Sequence, residues 1–366
     1  MEKRRLLRHF GYQVGRFPTG AKNSITDVPE VKVGHSTIIE GTGKRKPGTG
    51  PVRTGVTAII PHENVYMERL IAGANILNGA GEVSGLIQIQ EWGLIETPIL
   101  LTNTLSVGRV SDVCVKWMSE KYPEMGGQYE VIIPVVGECD DSFLNDSVGR
   151  HIKERHVYEA LNSVSDAMVP EGSVGAGTGM VCCDFKGGIG SASRIVMIDE
   201  RQYTIGILVL TNFGRIDDLR ILGIPVGRKL VSAFAGIHKR SDNFGSIIVV
   251  LATDLPLTKF QLGWLCKRAT LGIGRCGSFA AYTSGEIVVG FSTYNKVPRE
   301  PQAAIQQFTL MLDQFMDEPF EATIEATEEA IINSLINNHD MVGANENFVP
   351  ALPVDRLQTI MHAALG

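Results

Sequence analysis

Gly245 and Ser246 stand directly before Ile247-Ile-Val-Val-Leu251, five consecutive large apolar residues that read as a fully buried strand. Most Gly-Ser pairs mark a turn and nothing more. This one also has the form of a self-cleaving site. A serine at a chain N-terminus can use its own α-amino group as a general base, and an α-amino pKa of about 7.7 to 8.0 leaves a useful neutral fraction at physiological pH. An internal serine reaches that state only if its hydroxyl attacks the carbonyl just before it. Glycine in the preceding position leaves that carbonyl uncrowded and admits φ and ψ values that other residues resist.

The more familiar hydrolytic arrangements lack their signposts. There is no GxSxG nucleophile elbow. The eight histidines form no HExxH and no convergent trio, so neither a catalytic metal nor a cofactor is expected. His35, His62 and His151 read as capping or surface residues. The densest glycine cluster, residues 174–194 (VGAGTGMVCCDFKGGIGSASR), invites a phosphate-loop reading but matches neither GxGxxG nor GxxxxGK[ST]. It reads instead as backbone turning closely around neighbouring strands, with Lys186 a structural or rim lysine.

Composition narrows the partners. Hydrophobic residues make up 44% and charged residues 20% of the 366, as in an ordinary globular chain, while 40 glycines imply many tight turns or close backbone approaches. A net charge of −6 provides no basic face for nucleic acid. The basic start MEKRRLLRHF is followed by no apolar run of about seven or more, so no secretory signal is expected. No apolar run is long enough to span a membrane. Cysteines 114, 139, 182, 183, 266 and 276 include no CxxC pair and read as buried reduced thiols, which points to a cytoplasmic home.

The elements that would position this chemistry are short apolar runs and amphipathic helices. Strands are predicted at 56–60, 98–101, 129–136, 195–198, 203–210, 246–252 and 286–291, each bounded by Gly, Pro, Asn or Asp. Helical spacing appears at 107–122, 152–163, 259–271, 302–315 and 323–336, with Thr258 available as an N-cap for the third. Strands match or outnumber helices and several come in turn-linked pairs, which favours mixed sheets covered by helices over a doubly wound parallel sheet. At this length either two domains or one large layered domain is possible. No internal repeat is found, and only the Gly-, Lys- and Pro-rich loop 40–50 looks detachable.

The blocks NSITDVPEVKVGHSTI (23–38), GPVRTGVTAIIPH (50–62), GEVSGLIQIQEWGLIETPILLTNTLSVGRV (81–110), GAGTGMVCCDFKGGIGSASR (175–194), GSIIVVLATDLPL (245–257) and SGEIVVGFST (284–293) together resemble the L-aminopeptidase/D-esterase and β-aminopeptidase family of self-processing N-terminal-serine hydrolases. The resemblance covers nearly the whole chain from about residue 23. It implies one α/β domain over 1–366: a four-layer αββα sandwich, like that of N-terminal nucleophile hydrolases but differently connected. It also implies cleavage between Gly245 and Ser246 into subunits 1–245 and 246–366, with Ser246 the nucleophile.

Further roles follow from matching positions. The resemblance makes Asn212 the oxyanion-stabilising amide, where its bare context before Gly214 would suggest a turn. It makes Ser284 and Glu286 the hydroxyl and carboxylate that orient the nucleophile's amino group, and Glu138 the carboxylate that holds the substrate's free ammonium. Asp140 stands where the family's aminopeptidases have a tyrosine, and a carboxylate donates no hydrogen bond unless protonated. Either oxyanion stabilisation then rests on Asn212 and backbone amides, or the substrate differs, a more cationic one suiting the extra charge. The implied activity is a metal-free serine aminopeptidase acting on short peptides, amides or esters, including β- or D-configured ones, and assembled as a homo-oligomer of processed heterodimers. A linear-amide hydrolase of the same fold, or a catalytically silent relative that binds small amines, is the alternative.

Overall fold

The computed structural model describes residues 7–236 and 245–365. The basic start of the chain, residues 1–6, lies outside the described residues. The strands in chain order are β1 (Lys32–Glu40), β2 (Val52–Ile60), β3 (Glu68–Gly79), β4 (Leu94–Ile95), β5 (Ile99–Asn103), β6 (Val135–Cys139), β7 (Val181–Cys182), β8 (Phe185–Lys186), β9 (Gly188–Ile198), β10 (Arg201–Phe213), β11 (Gly245–Thr253), β12 (Gly285–Pro298), β13 (Met341–Val342) and β14 (Phe348–Val349). The helices are α1 (Leu86–Trp92), α2 (Val107–Lys121), α3 (Glu154–Asn162), α4 (Val226–Leu230), α5 (Lys259–Arg275), α6 (Asp317–Ile336) and α7 (Val354–Leu365).

Two mixed sheets lie face to face. One has the order β1-β2-β5-β6 and the other β4-β3-β12-β11-β10-β9. Their inner faces share a core that includes Ile59, Leu101, Val135, Leu208, Leu210, Ile248, Val250, Ile287 and Val289. Helices α2 and α3 cover the outside of the smaller sheet through Val110, Cys114, Met118, Val157 and Leu161. Helices α5 and α6 cover the larger one through Leu262, Leu265, Ala269, Ala326, Ala330 and Ile331. Sheets buried on both faces lose the polar-apolar alternation of half-exposed strands, which is why β2 and β11 are buried at every position. The four-layer αββα sandwich is therefore the architecture.

Helix α6 approaches the sheet closely because Gly190 has no side chain: a Cβ there would stand 2.0 Å from the Ala330 carbonyl oxygen. Beneath it Arg194, fully buried, pairs with Glu325 at 3.0 Å and Glu329 at 2.6 Å, and Arg8 reaches Glu329 at 2.9 Å, tying the chain's start to α6. Helix α5 supplies the crossover that a parallel β11–β12 pair requires. Thr258 caps it, accepting from Gln261 N at 3.3 Å while Gln261 Oε1 accepts from Thr258 N at 2.9 Å, a reciprocal capping box.

Three expectations need correction. Residues 302–312 form no helix: Ile305, Leu310 and Leu312 stay at the surface, Ile305 86% exposed, while Met311 enters the core, and its N donates to Pro256 O at 2.9 Å. The strand expected at 129–136 begins only at Val135, because its partner β5 starts at Ile99 and Pro134 has no N–H to donate. His62 is buried, 2.7 Å from the Glu68 carbonyl, rather than at the surface. The loop 40–50 is anchored as well as exposed, since Gly48 N donates to Asp146 Oδ2 at 2.8 Å and Arg45 N to Asn345 Oδ1 at 3.0 Å.

Candidate active site

The candidate site lies at the start of β11. Gly245 has φ +72°, in the left-handed region where glycine is at ease and other residues are not, so the chain bends immediately before the strand begins. Ser246 then pairs with Asn212 on β10 in antiparallel register and with Gly285 on β12 in parallel register. Side chains alternate along a strand. Ser246 is in phase with Ile248 and Val250, and Asn212 with Leu208 and Leu210, all four in the core between the sheets. The hydroxyl and the amide are thus directly opposed on one face, where Cβ atoms of cross-strand partners lie about 4.5–5.5 Å apart.

The amide is held at both ends by backbone. Asn212 Oδ1 accepts from Val181 N at 2.9 Å and Nδ2 donates to Asp140 O at 2.9 Å. An amide nitrogen carries a second N–H, and these two contacts fix the plane in which it lies. Asp140 therefore serves Asn212 through its main chain. Its carboxylate folds back on Ser142, accepting from N at 2.9 Å and Oγ at 3.0 Å.

Glu138 is buried near the end of β6, with Oε1 accepting from Glu82 N at 2.8 Å and Oε2 from the Thr104 hydroxyl. Burial pushes its carboxyl above the usual range, the Thr104 and Glu82 hydrogen bonds oppose this, and Asp140 and Glu82 add to the rise. Its nearness to the β12 start is set by Gly81, where a Cβ would lie 3.2 Å from Glu138 Oε1 and 3.9 Å from Gly285 Cα. A largely apolar cavity of about 810 Å³ adjoins the same loop, its lining including Gly81, Glu82, Val83, Leu86, Ile133 and Ile287.

Ser284 donates its hydroxyl hydrogen to Glu286 Oε1, and Oε2 has no partner among the described residues. Burial raises this carboxyl to about 7 against the pull of the Ser284 hydrogen bond. By alternation Glu286 is in phase with Ile247 and Val288, in the core on the α5/α6 side, and not with Ser246. Ser246, Asn212 and Gly285 are brought into register, while no hydrogen bond joins the Ser246 side chain to the Ser284–Glu286 pair among the described residues.

A model of peptidase family S58 matches residues 23–349. The chain belongs to this family. As an S58 member it is 39% identical over 354 residues to beta-peptidyl aminopeptidase BapA of Sphingosinicella xenopeptidilytica, covering 94% of this chain and 88% of that protein. The BapA of Sphingosinicella microcystinivorans is 40% identical over 93% of the chain and 88% of its own length. Among solved structures, the L-aminopeptidase D-Ala-esterase/amidase from Ochrobactrum anthropi superposes with TM-score 0.91 at 37% identity over 98% of both chains. It is described as a prototype for the serine aminopeptidases and a variant of the N-terminal nucleophile hydrolase fold. A protein from Pyrococcus horikoshii OT3 superposes with TM-score 0.94 at 46% identity, over 98% of this chain and 99% of that one. This S58 peptidase is a serine aminopeptidase of the N-terminal nucleophile type, acting on peptides.

Reasoning from side-chain types missed the backbone partners of Asn212, the Val181 N–H and the Asp140 carbonyl, which carry no sequence signal. It also missed Asp141, fully buried, whose carboxyl is raised to about 7 by desolvation, against hydrogen bonds from Thr54 and Asn145. Lys186 is not a rim residue but wholly buried. No helix among the described residues is long and apolar enough to cross a membrane.

Proposed function

We propose that this S58 member cuts its own chain between Gly245 and Ser246 and then works as an aminopeptidase through the exposed N-terminal serine. The Ser246 hydroxyl attacks the Gly245 carbonyl carbon, the Gly245–Ser246 amide gives way to an ester, and water releases residues 1–245. The α-amino group so freed is the general base. Glu286, buried with one open oxygen, is the group that receives the resulting ammonium once the chain before Ser246 is gone.

In turnover, Ser246 Oγ attacks the carbonyl of the substrate's N-terminal residue and passes its proton to its own amino group. Asn212 donates to the oxyanion. The C–N bond breaks, the leaving amine takes the proton, and water frees the acyl-enzyme by the same route. Glu138 holds the substrate ammonium by a charge-assisted hydrogen bond.

The observation that carries this reading is the cross-strand pairing of Ser246 with Asn212. We take β-peptides and D-configured esters or amides as further substrates, because relatives carry those activities in their names. A homo-oligomer of processed heterodimers is supported by apolar side chains left at the surface, among them Ile87, Trp92 and Tyr282. A reducing, cytoplasmic setting is supported by six buried cysteines with no disulfide among the described residues. The test is a Ser246→Ala variant beside the unaltered chain: the variant is to stay whole and inactive, and a cut or active variant would refute the assignment.

A further inference from the structure

Lys186 is fully buried on β8, and no ion pair reaches it among the described residues. All of its charge is spent on carbonyls: Nζ donates to Gly177 O at 3.1 Å, Met180 O at 2.8 Å and Gly187 O at 2.7 Å. An ammonium has three N–H donors, so the three contacts use them all. Burying a lysine without a carboxylate is costly, and the fold bears that cost at one place. The three carbonyls belong to the two sides of the glycine-rich stretch, the 3₁₀ turn Gly175–Gly179 with Met180 on one side and Gly187 on the other.

What this clamp holds is the partner of Asn212. The peptide bond whose oxygen Lys186 grips, Met180–Val181, is the one whose N–H, that of Val181, donates to Asn212 Oδ1 at 2.9 Å. Rotation of that single peptide plane would withdraw the donor and release the amide. A second strut fixes the same plane, Gly187 N donating to Met180 O at 3.0 Å, and Gly187 O is itself gripped by Lys186.

The geometry points to Lys186 as a positioning residue for catalysis, orienting the Asn212 amide toward the oxyanion through the Met180–Val181 peptide. It touches no substrate and forms no bond in the reaction. The inference rests on the oxyanion role given to Asn212 above, and its effect cannot exceed the loss of Asn212 itself. Desolvation lowers the Lys186 ammonium to about 7. A neutral amine has only two N–H donors for three carbonyls, so the clamp weakens as pH rises.

The test is a double-mutant cycle on the processed fraction of Lys186→Met, Asn212→Ala and the pair, with a chromogenic aminoacyl anilide as probe and a melting scan on each. Lys186→Met is expected to lower kcat about tenfold with KM unchanged, the scale of losing a hydrogen bond to a charged group, and to cost nothing further when Asn212 is already Ala. An equal loss in both backgrounds would show a role in general stability and overturn the inference. If Asn212→Ala alone leaves kcat intact, the oxyanion assignment fails first and the inference with it. Should Lys186→Met not accumulate folded, Lys186→Gln, which keeps two donors on a shorter side chain, goes through the same cycle with the same deciding outcomes.

Discussion

Asn212 and Ser246 face one another across the β10–β11 ladder, both buried and both on the face between the two sheets. The amide is anchored from Val181 N and to Asp140 O. In the proposed oxyanion role, an amide held this way needs no reorganisation when charge develops. Asn212→Ala should therefore lower kcat by about 10² to 10³, with KM little changed, in steady-state kinetics of the processed enzyme. A loss confined to KM would remove Asn212 from that role.

Glu138 offers a buried carboxylate held by Glu82 N and Thr104. Glu138→Gln keeps the shape and removes the charge. Hydrogen bonds to charged groups are worth about 1.5–3 kcal/mol, so KM for substrates with a free N-terminal ammonium should rise roughly ten- to a hundredfold. The preference for free over N-acylated substrates should fall by the same factor. An unchanged preference would place ammonium recognition elsewhere.

Gly245 has φ +72°, and in the proposed self-cleavage this bend would set how its carbonyl meets the Ser246 hydroxyl. A side chain at this φ costs about 1–2 kcal/mol, so Gly245→Ala turns the carbonyl away. Self-cleavage, followed by gel after synthesis, should slow by about tenfold. Turnover per processed site should not change, because Gly245 is no longer attached to the nucleophile. Cleavage at an undiminished rate would show that the bend is incidental.

Asp141 gives the uncut fold a pH dependence with a definite sign. Its carboxyl, normally near 3.8, is raised to about 7 by burial. Between those values the folded state binds a proton that the unfolded state has lost, so its stabilising contribution is full below about 3.8 and declines as pH climbs through 7, by about 1.4 kcal/mol per unit. Urea unfolding of the Ser246→Ala chain across this range, with and without Asp141→Asn, isolates the effect. The double variant should show a flatter profile, and parallel profiles would mean that Asp141 is ionised throughout.

The sandwich was legible where burial writes itself into composition. The run 246–252 and the strand starts at 98–101 and 286–291 could be read because strands buried on both faces are continuously apolar. Residues 302–315 misled because helical spacing shows only what a segment could cover, and here Met311 is buried while Ile305, Leu310 and Leu312 stay exposed. At the site, the Gly-Ser pair was visible as local chemistry, whereas Ser284 and Glu286 read locally as a turn and a strand-edge carboxylate and took their roles from the family resemblance. Asn212 acquired meaning only from family resemblance, since its pairing with Ser246 spans 34 positions of sequence, the difference between their numbers. Between a structural and a rim role the sequence left Lys186 open, because its acceptors are all main-chain carbonyls, for which no side-chain pattern exists.

The central claim is that Ser246 becomes a chain terminus. Intact-mass analysis with N-terminal sequencing of freshly purified, active protein addresses it most directly. The account predicts two polypeptides, 1–245 and 246–366, the second beginning Ser-Ile-Ile-Val. An active enzyme composed of the unbroken 366-residue chain, or one broken at another peptide bond, would contradict it.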